Sequence, residues 1–308
     1  MYWYWYKKRT GKNNFGDELN PYIIGKLSNQ KINYLPIPDS RLRRLLKLIK
    51  GSFEGKFSFH DSIQIFKSLK TKTYYTGIGS VIEWVRGKNC HIWGAGLINS
   101  NGIIQNCQFH AVRGKITQTR IKELGFNPPD TIGDPALLLP LIYSPSVTKR
   151  YKLGIVPHFT HYNEISEQLK KNPDILLINL QDDIEQIINQ IYSCNQIITS
   201  SLHGLIVSHT YNIPALWVDI SAKPLAGDNI KFIDYFSSVE ISPYAPLSLK
   251  IYSPELLPNA YNIFEQNNKL AMCEIKLLQK IRIDLLRSAP FSLTNSYKNL
   301  LTNETYNN

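Results

Sequence analysis

Apolar positions along the chain follow two periods, one helical and one extended. Leu19, Tyr22, Ile23 and Leu27 share one face of a helix over residues 17–28, with Pro21 in its first turn, where it is tolerated. Leu42, Leu45, Leu46 and Ile49 form a second stripe in RLRRLLKLIK. Residues 41–50 therefore read as a short amphipathic helix ringed by Arg41, Arg43, Arg44, Lys47 and Lys50. Residues 51–60 read as a mobile loop. TYYTGIG (73–79) and CHIWGAG (90–96) are strand-like runs that stop at glycines, and 109–113 is a strand ending on a basic residue. Residues 114–124 read as a helix closed by Gly125. Asp134 and Pro135 break the chain before an apolar stretch, 136–143, whose pattern fits neither type.

SPSVTKR (144–150) is the best linker, and a second alternation follows it. Strands at 152–156, 174–180, 196–199 and 215–219 alternate with helices at 162–171, 182–194, 201–211 and 228–239. Such alternation implies right-handed crossovers and a parallel sheet in each half. The expected fold is α/β, with two Rossmann-like domains (1–146 and 147–250) facing a central cleft. A helical segment, 251–291, should carry one long helix over roughly 258–287, packed across the domains. The Asn-rich tail, 292–308, should fray.

Composition narrows the class. With 308 residues, 43% of them hydrophobic, the chain can bury a large core, and 19% charged residues exclude charge-rich disorder. Cys90, Cys107, Cys194 and Cys273 are too far apart for zinc-ligand spacing and too few for a disulfide scaffold, so they read as buried reduced thiols. No apolar run reaches the roughly 18 residues of a membrane span. The start, MYWYWYKKR, puts aromatics ahead of charge, the reverse of a signal peptide, so a cytoplasmic chain is expected.

The net charge of +11 and the pI near 9.3 favour anionic partners. No helix-turn-helix, zinc-finger or RNA-binding signature accompanies that charge, so nucleic acid is not expected. Two readings stand for the helix at 41–50. One is a surface helix with a basic outer face. The other is peripheral docking on an anionic, inner membrane surface.

Parallel sheets bind ligands beyond the carboxyl ends of their strands, so the residues after each strand carry the candidate chemistry. IITSSLHGL is the sharpest such segment. Ser200 or Ser201 can cap the helix that follows, and its free N–H groups suit phosphate or carboxylate. His203, in the first turn, can pass a proton near neutral pH; the plainer alternative is a buried histidine satisfied by a carbonyl. In KNNFGDELN (12–20), Gly16 permits a tight turn, and Asp17 either caps the helix or accepts a hydrogen bond or proton from a sugar hydroxyl. Asn14, Gly16, Gly79, Ser80, Gly94, Gly96 and His158 are candidates for the acceptor side of the cleft. The Gly-x-Gly stretches lack the third glycine of a dinucleotide fingerprint, and there is no P-loop or Gly-x-Ser-x-Gly elbow. His158 and His161 have no evident third ligand, so neither metal nor cofactor is expected.

Taken in order, NNFGDELN, GIGS, HIWGAGL, VRGKITQTRIKELG, TIGDPALLLP, GIVPH, IITSSLHGLIVSHTYNIPALWVD and the lysine of SAKP resemble the polysaccharide pyruvyltransferase family. The resemblance runs from about residue 13 to about residue 239. It implies a two-domain fold like that of the GT-B glycosyltransferases. It also implies transfer of pyruvate from phosphoenolpyruvate onto two hydroxyls of one sugar, giving a cyclic ketal and phosphate. Phosphoenolpyruvate is then a co-substrate, and the acceptor is a sugar of a capsular or exopolysaccharide repeat unit, free or lipid-linked. The family's donor-binding arginine, histidine and lysine fall on Arg113, His203 and Lys223, with Ser200 and Ser201 completing an anion cradle. The acidic residue of its Gly-Asp motif falls on Asp17. Many relatives read Arg-Leu-His where this chain reads Ser201-Leu202-His203, so one positive charge near the donor is lost.

Two rival readings are distinguishable. A GT-B glycosyltransferase would share the fold and bind a nucleotide sugar. A non-enzymatic basic protein would bind nucleic acid or membrane with a steep salt dependence and no turnover.

Overall fold

The computed structural model describes residues 1–7, 14–54, 56–169, 171–220 and 227–304. In chain order the first half contains β1 (Tyr2–Tyr4), α1 (Phe15–Ser28), β2 (Asn33–Tyr34), α2 (Arg41–Phe53), α3 (Phe59–Ser68), β3 (Tyr74–Thr76), β4 (Cys90–Trp93), β5 (Gln108–Ala111) and α4 (Lys115–Glu123). The second contains β6 (Tyr151–Val156), α5 (Tyr162–Gln168), β7 (Ile175–Leu177), α6 (Ile184–Tyr192), β8 (Cys194–Thr199), α7 (Leu202–Thr210), β9 (Ala215–Asp219), α8 (Ile230–Ser238) and β10 (Leu247–Ser248). The strands form two five-stranded sheets, ordered β2-β1-β3-β4-β5 and β10-β9-β8-β6-β7, and every pairing in both is parallel. The α/β alternation expected from the sequence is therefore present in each half.

Three strands lay outside that expectation. β1 sits inside the all-aromatic start, which shows no polar alternation because both of its faces are covered. Trp3 and Trp5 point into one core with Phe15 and Leu19, while Tyr4 points into another with Leu35 and Ile92. β2 and β10 are only two residues long and carry no periodic signal.

The larger core is continuous between the sheets. It joins Trp3 and Trp93 of the first to Val156 and Trp217 of the second, through Leu137–Leu139 of a 3-10 turn (Pro135–Leu141). That turn resolves the ambiguous stretch at 136–143. All four cysteines are buried free thiols.

Three local expectations are corrected. The loop at 51–60 is shorter than expected, because α2 runs on to Phe53 and a capping box between Ser58 and Asp61 starts α3. The long helix at 258–287 is broken into α9 (Leu256–Gln266), a 3-10 turn (Asn268–Leu270) and α10 (Ile275–Arg287). The break lets backbone meet the second sheet: the Ala271 carbonyl accepts from Ala215 N at 2.9 Å, while Asn267 Nδ2 donates back to Ile263 O at 2.9 Å. The tail does not fray over its described part. It forms α11 (Asn295–Glu304), whose Tyr297 and Leu301 pack on the main core.

These last helices strap both halves. Trp93 Nε1 donates to Leu285 O at 3.0 Å, and Arg282 donates to Leu137 O at 2.8 Å and Thr210 O at 2.9 Å. No described helix is long and apolar enough to cross a membrane.

Candidate functional site

The carboxyl ends of β1, β3, β4, β6, β8 and β9 lead into segments that line one cleft of about 620 Å³ between the sheets. This is where parallel sheets place their ligands.

The first half contributes the start of α1. Asn14 stands at the N-cap in an extended conformation, so the helix begins at Phe15, two residues before the position expected. Asp17 is therefore not the cap. It sits in the first turn with its carboxylate in the cleft wall, where the positive end of the helix favours it. Asn14 Nδ2 donates to Asp17 Oδ2 at 3.2 Å. Asn20 fastens the neighbouring loop: its amide donates to Ile78 O at 2.9 Å, and its carbonyl accepts from Ile78 N at 2.9 Å. Beyond it Gly79 adopts a φ of +114°, in the region glycine tolerates, and brings Ser80 to the cleft.

The second half contributes the start of α7. Of the two candidate serines, Ser201 caps the helix, accepting from Gly204 N at 3.4 Å, and lines the cleft. Ser200 braces the loop after β6 instead, its hydroxyl accepting from His158 N at 3.0 Å. His158 lines the cleft, with Nδ1 bonded to Thr160 Oγ1 at 2.8 Å.

His203 sits in the first turn of α7, 8% exposed, wedged between the halves. On one side it packs so closely on Gly16 that a Cβ there would come within 2.0 Å of the imidazole Nδ1. On the other, its Nε2 lies 3.7 Å from Asp134 Oδ2. Both atoms are buried and have no hydrogen-bond partner among the described residues. Asp134 is held in place by its other oxygen, which accepts from Ala136 N at 2.9 Å. His203 is thus not the carbonyl-satisfied core histidine of the plainer reading. It faces the carboxylate of Asp134 across the gap between them.

Arg113 does not line the cleft. It is fully buried, with Nε donating to Asp234 Oδ2 at 3.0 Å, Nη1 to Ser80 Oγ at 2.8 Å and Nη2 to Leu97 O at 2.7 Å. It reaches the cleft only through Ser80. Gly96 leaves room for that guanidinium, and Gly94 leaves room for Pro135 beside Asp134, so both glycines support the site from behind. Lys223 lies outside the described residues.

The cleft holds a cation the sequence reading passed over. Lys231, near the start of α8, faces it. Burial, reinforced by the charge of Arg113, lowers its pKa to about 8. At the mouth, Tyr6 and Trp84 stand with ring centroids 5.8 Å apart, both partly exposed. The sequence signal for Lys231 was weak: it and Asp234 are the charged pair in the otherwise apolar run IKFIDYF. Asp134 was visible as part of TIGDP, but only as a chain breaker.

A family model described as polysaccharide pyruvyl transferase matches residues 14–221. An uncharacterised protein of Acanthamoeba polyphaga mimivirus is 32% identical over 178 residues, covering 56% of this chain. The match spans 62% of that protein's own length. Residues 14–221 hold every group that lines the cleft except Tyr6 and Lys231, and on that match the chain belongs to the polysaccharide pyruvyl transferase family.

Proposed function

We propose that this chain is a phosphoenolpyruvate-dependent ketal pyruvyltransferase with a GT-B-like pair of domains. It acts on a sugar of a capsular or exopolysaccharide repeat unit. The observation that carries the reading is the meeting, in one cleft, of His203 backed by Asp134, Asp17 from the opposite sheet, and the lone lysine Lys231 among the described lining residues. The donor carries a carboxylate and a phosphate, and the start of α7 with Lys231 offers both a helix N-terminus and a point charge. Lys231 also restores the positive charge absent where Ser201 replaces the arginine common in relatives. Arg113 then acts as a positioning residue that holds Ser80. The aromatic mouth, Tyr6 and Trp84, suits the apolar face of a sugar ring.

The reaction moves one proton onto the donor's methylene carbon, with His203 as acid, and cationic character develops at the adjacent carbon. One sugar hydroxyl attacks that carbon, giving its proton to Asp17. The second hydroxyl closes the ring as the C–O bond to phosphate breaks, and its proton leaves on the departing phosphate. The products are the methyl-bearing cyclic ketal and inorganic phosphate. No metal is required by this scheme, because the protein supplies the cations.

Phosphoenolpyruvate alone, at about 100 times its dissociation constant, should stabilise the chain by about 2.7 kcal/mol, and nucleotide sugars should not. A thermal shift with nucleotide sugars instead would transfer the chain to glycosyl transfer. The donor effect should weaken as pH rises through about 8, because Lys231 loses its proton there and with it the attraction for the anion. In Lys231→Gln that pH dependence should vanish; its persistence would remove Lys231 from the donor site.

Gly16→Ala should lower turnover by about 10²-fold, because the new methyl displaces the His203 ring. Single-turnover rates measured against donor affinity check this. A rate equal to the parent's would show that α1 yields and His203 keeps its place.

A further inference from the structure

The helix pair α2–α3 is packed inside out. α2 turns Arg44 inward, opposite its apolar stripe. The guanidinium is fully buried, donating to Ser68 O at 2.6 Å and Thr71 O at 2.7 Å, at and just past the end of α3. Gly51, on the same side, lies directly against the Phe57 ring. The stripe itself faces solvent: Leu42 is 67% exposed, Leu46 56% and Phe53 90%, with Leu45 and Ile49 beside them. α3 packs against α2 and adds Phe59 at 83% and Phe66 at 64%, two turns apart on one side, while Ile65 and Ser68 face in. Seven of the fourteen large exposed apolar side chains among the described residues sit on these two helices. An ordinary surface helix does the reverse, burying its stripe and exposing its charges.

Charge is concentrated on the same segment. Between residues 41 and 72, nine Lys and Arg stand against two carboxylates, a net +7 out of the +11 of the whole chain. Asp39, just before it, pairs with Lys47 at 3.3 Å. By helical position, Arg43, Lys47 and Lys50 flank the apolar stripe on one side and Arg41 on the other. An exposed apolar stripe between rows of cations matches the boundary between acyl chains and anionic headgroups.

We propose that α2 and α3 dock this chain on the surface of an anionic lipid bilayer. α2 lies in the headgroup plane, its stripe against the acyl boundary and its cations on the phosphates. A second copy is disfavoured as the occupant, since it would bring two surfaces of like charge together. Nucleic acid would leave the leucines and phenylalanines without a partner. The docking does not depend on the chemistry in the cleft, and its test needs no substrate.

The test is co-sedimentation of the full chain with vesicles of phosphatidylcholine containing about 30% phosphatidylglycerol, alongside pure phosphatidylcholine, at low and high salt. Binding is expected on the anionic vesicles only, about tenfold weaker in 0.5 M salt. It should fall by about tenfold or more in Leu46→Asp/Phe53→Asp and in Arg43→Glu/Lys50→Glu. All four positions are exposed, so circular dichroism should be unchanged. Absence of binding, or equal binding to neutral vesicles, overturns the proposal. So does a lipid-independent dimer in sedimentation that Leu46→Asp/Phe53→Asp dissolves.

Discussion

His203→Ala should turn over about 10²–10⁴-fold more slowly than the parent chain, the range expected when a general acid is removed. The geometry argues for an effect on the rate more than on donor affinity. In the proposed scheme Lys231 and the start of α7 remain to hold the anion, while the group removed is the one whose Nε2 faces Asp134 at 3.7 Å with no hydrogen-bond partner among the described residues. That separation exceeds a hydrogen bond, and a small ring movement would close it. Asp134→Asn should therefore slow turnover while leaving donor binding nearly intact. Single-turnover rates and donor affinity measure both. A near-parent rate in His203→Ala would sink the acid assignment, and a near-parent rate in Asp134→Asn would reduce Asp134 to a cap for the turn behind it.

The second large effect falls on stability. Asp234→Ala should cost about 3–5 kcal/mol, because it leaves the Arg113 charge buried without its carboxylate. Both side chains are completely buried. The same carboxylate accepts from Thr117 N at 2.9 Å and Thr117 Oγ1 at 2.7 Å, so the start of α4 loses its anchor as well. That anchor joins the two halves, since Asp234 belongs to α8 and Thr117 to α4. Lys115 N on Ser237 Oγ at 2.8 Å lies beside it. Denaturant unfolding of the single and double variants separates charge from shape. Arg113→Met/Asp234→Leu should recover much of the loss, because apolar groups of similar volume tolerate burial better than one unpaired charge. An unchanged midpoint in Asp234→Ala would show that Arg113 finds another partner, and would return it to consideration as a direct donor ligand.

Much of the site was legible in the sequence because the chemistry of parallel sheets is local. A strand ending at Thr199 and a helix starting at Leu202 fix where Ser201 and His203 stand, and Ser201 caps the helix as a serine there should. Gly79 before Ser80 follows the same rule at β3. The burial of Arg113 was not legible for a physical reason: a basic residue after a strand reads alike whether its guanidinium meets a ligand or a buried carboxylate. The carboxylate it meets, Asp234, lies 121 residues away. Lys231 was missed for the same reason, since nothing on α8 marks which of its neighbours is water and which is the cleft.

Local periodicity and end-of-strand chemistry, which need only neighbouring residues, therefore determined the α/β class and the parallel sheets and narrowed the helix cap to two serines, while the family was legible in the ordered set of motifs that resembles it. Tertiary structure decided which polar groups far apart in the chain face one another. It set Asp134 behind His203, closed Arg113 onto Asp234 and brought Lys231 into the cleft. It also turned the apolar stripe of α2 outward. The sequence pattern shows that a stripe exists, but the side that packs is chosen by long-range partners, here the carbonyls of Ser68 and Thr71 that take Arg44.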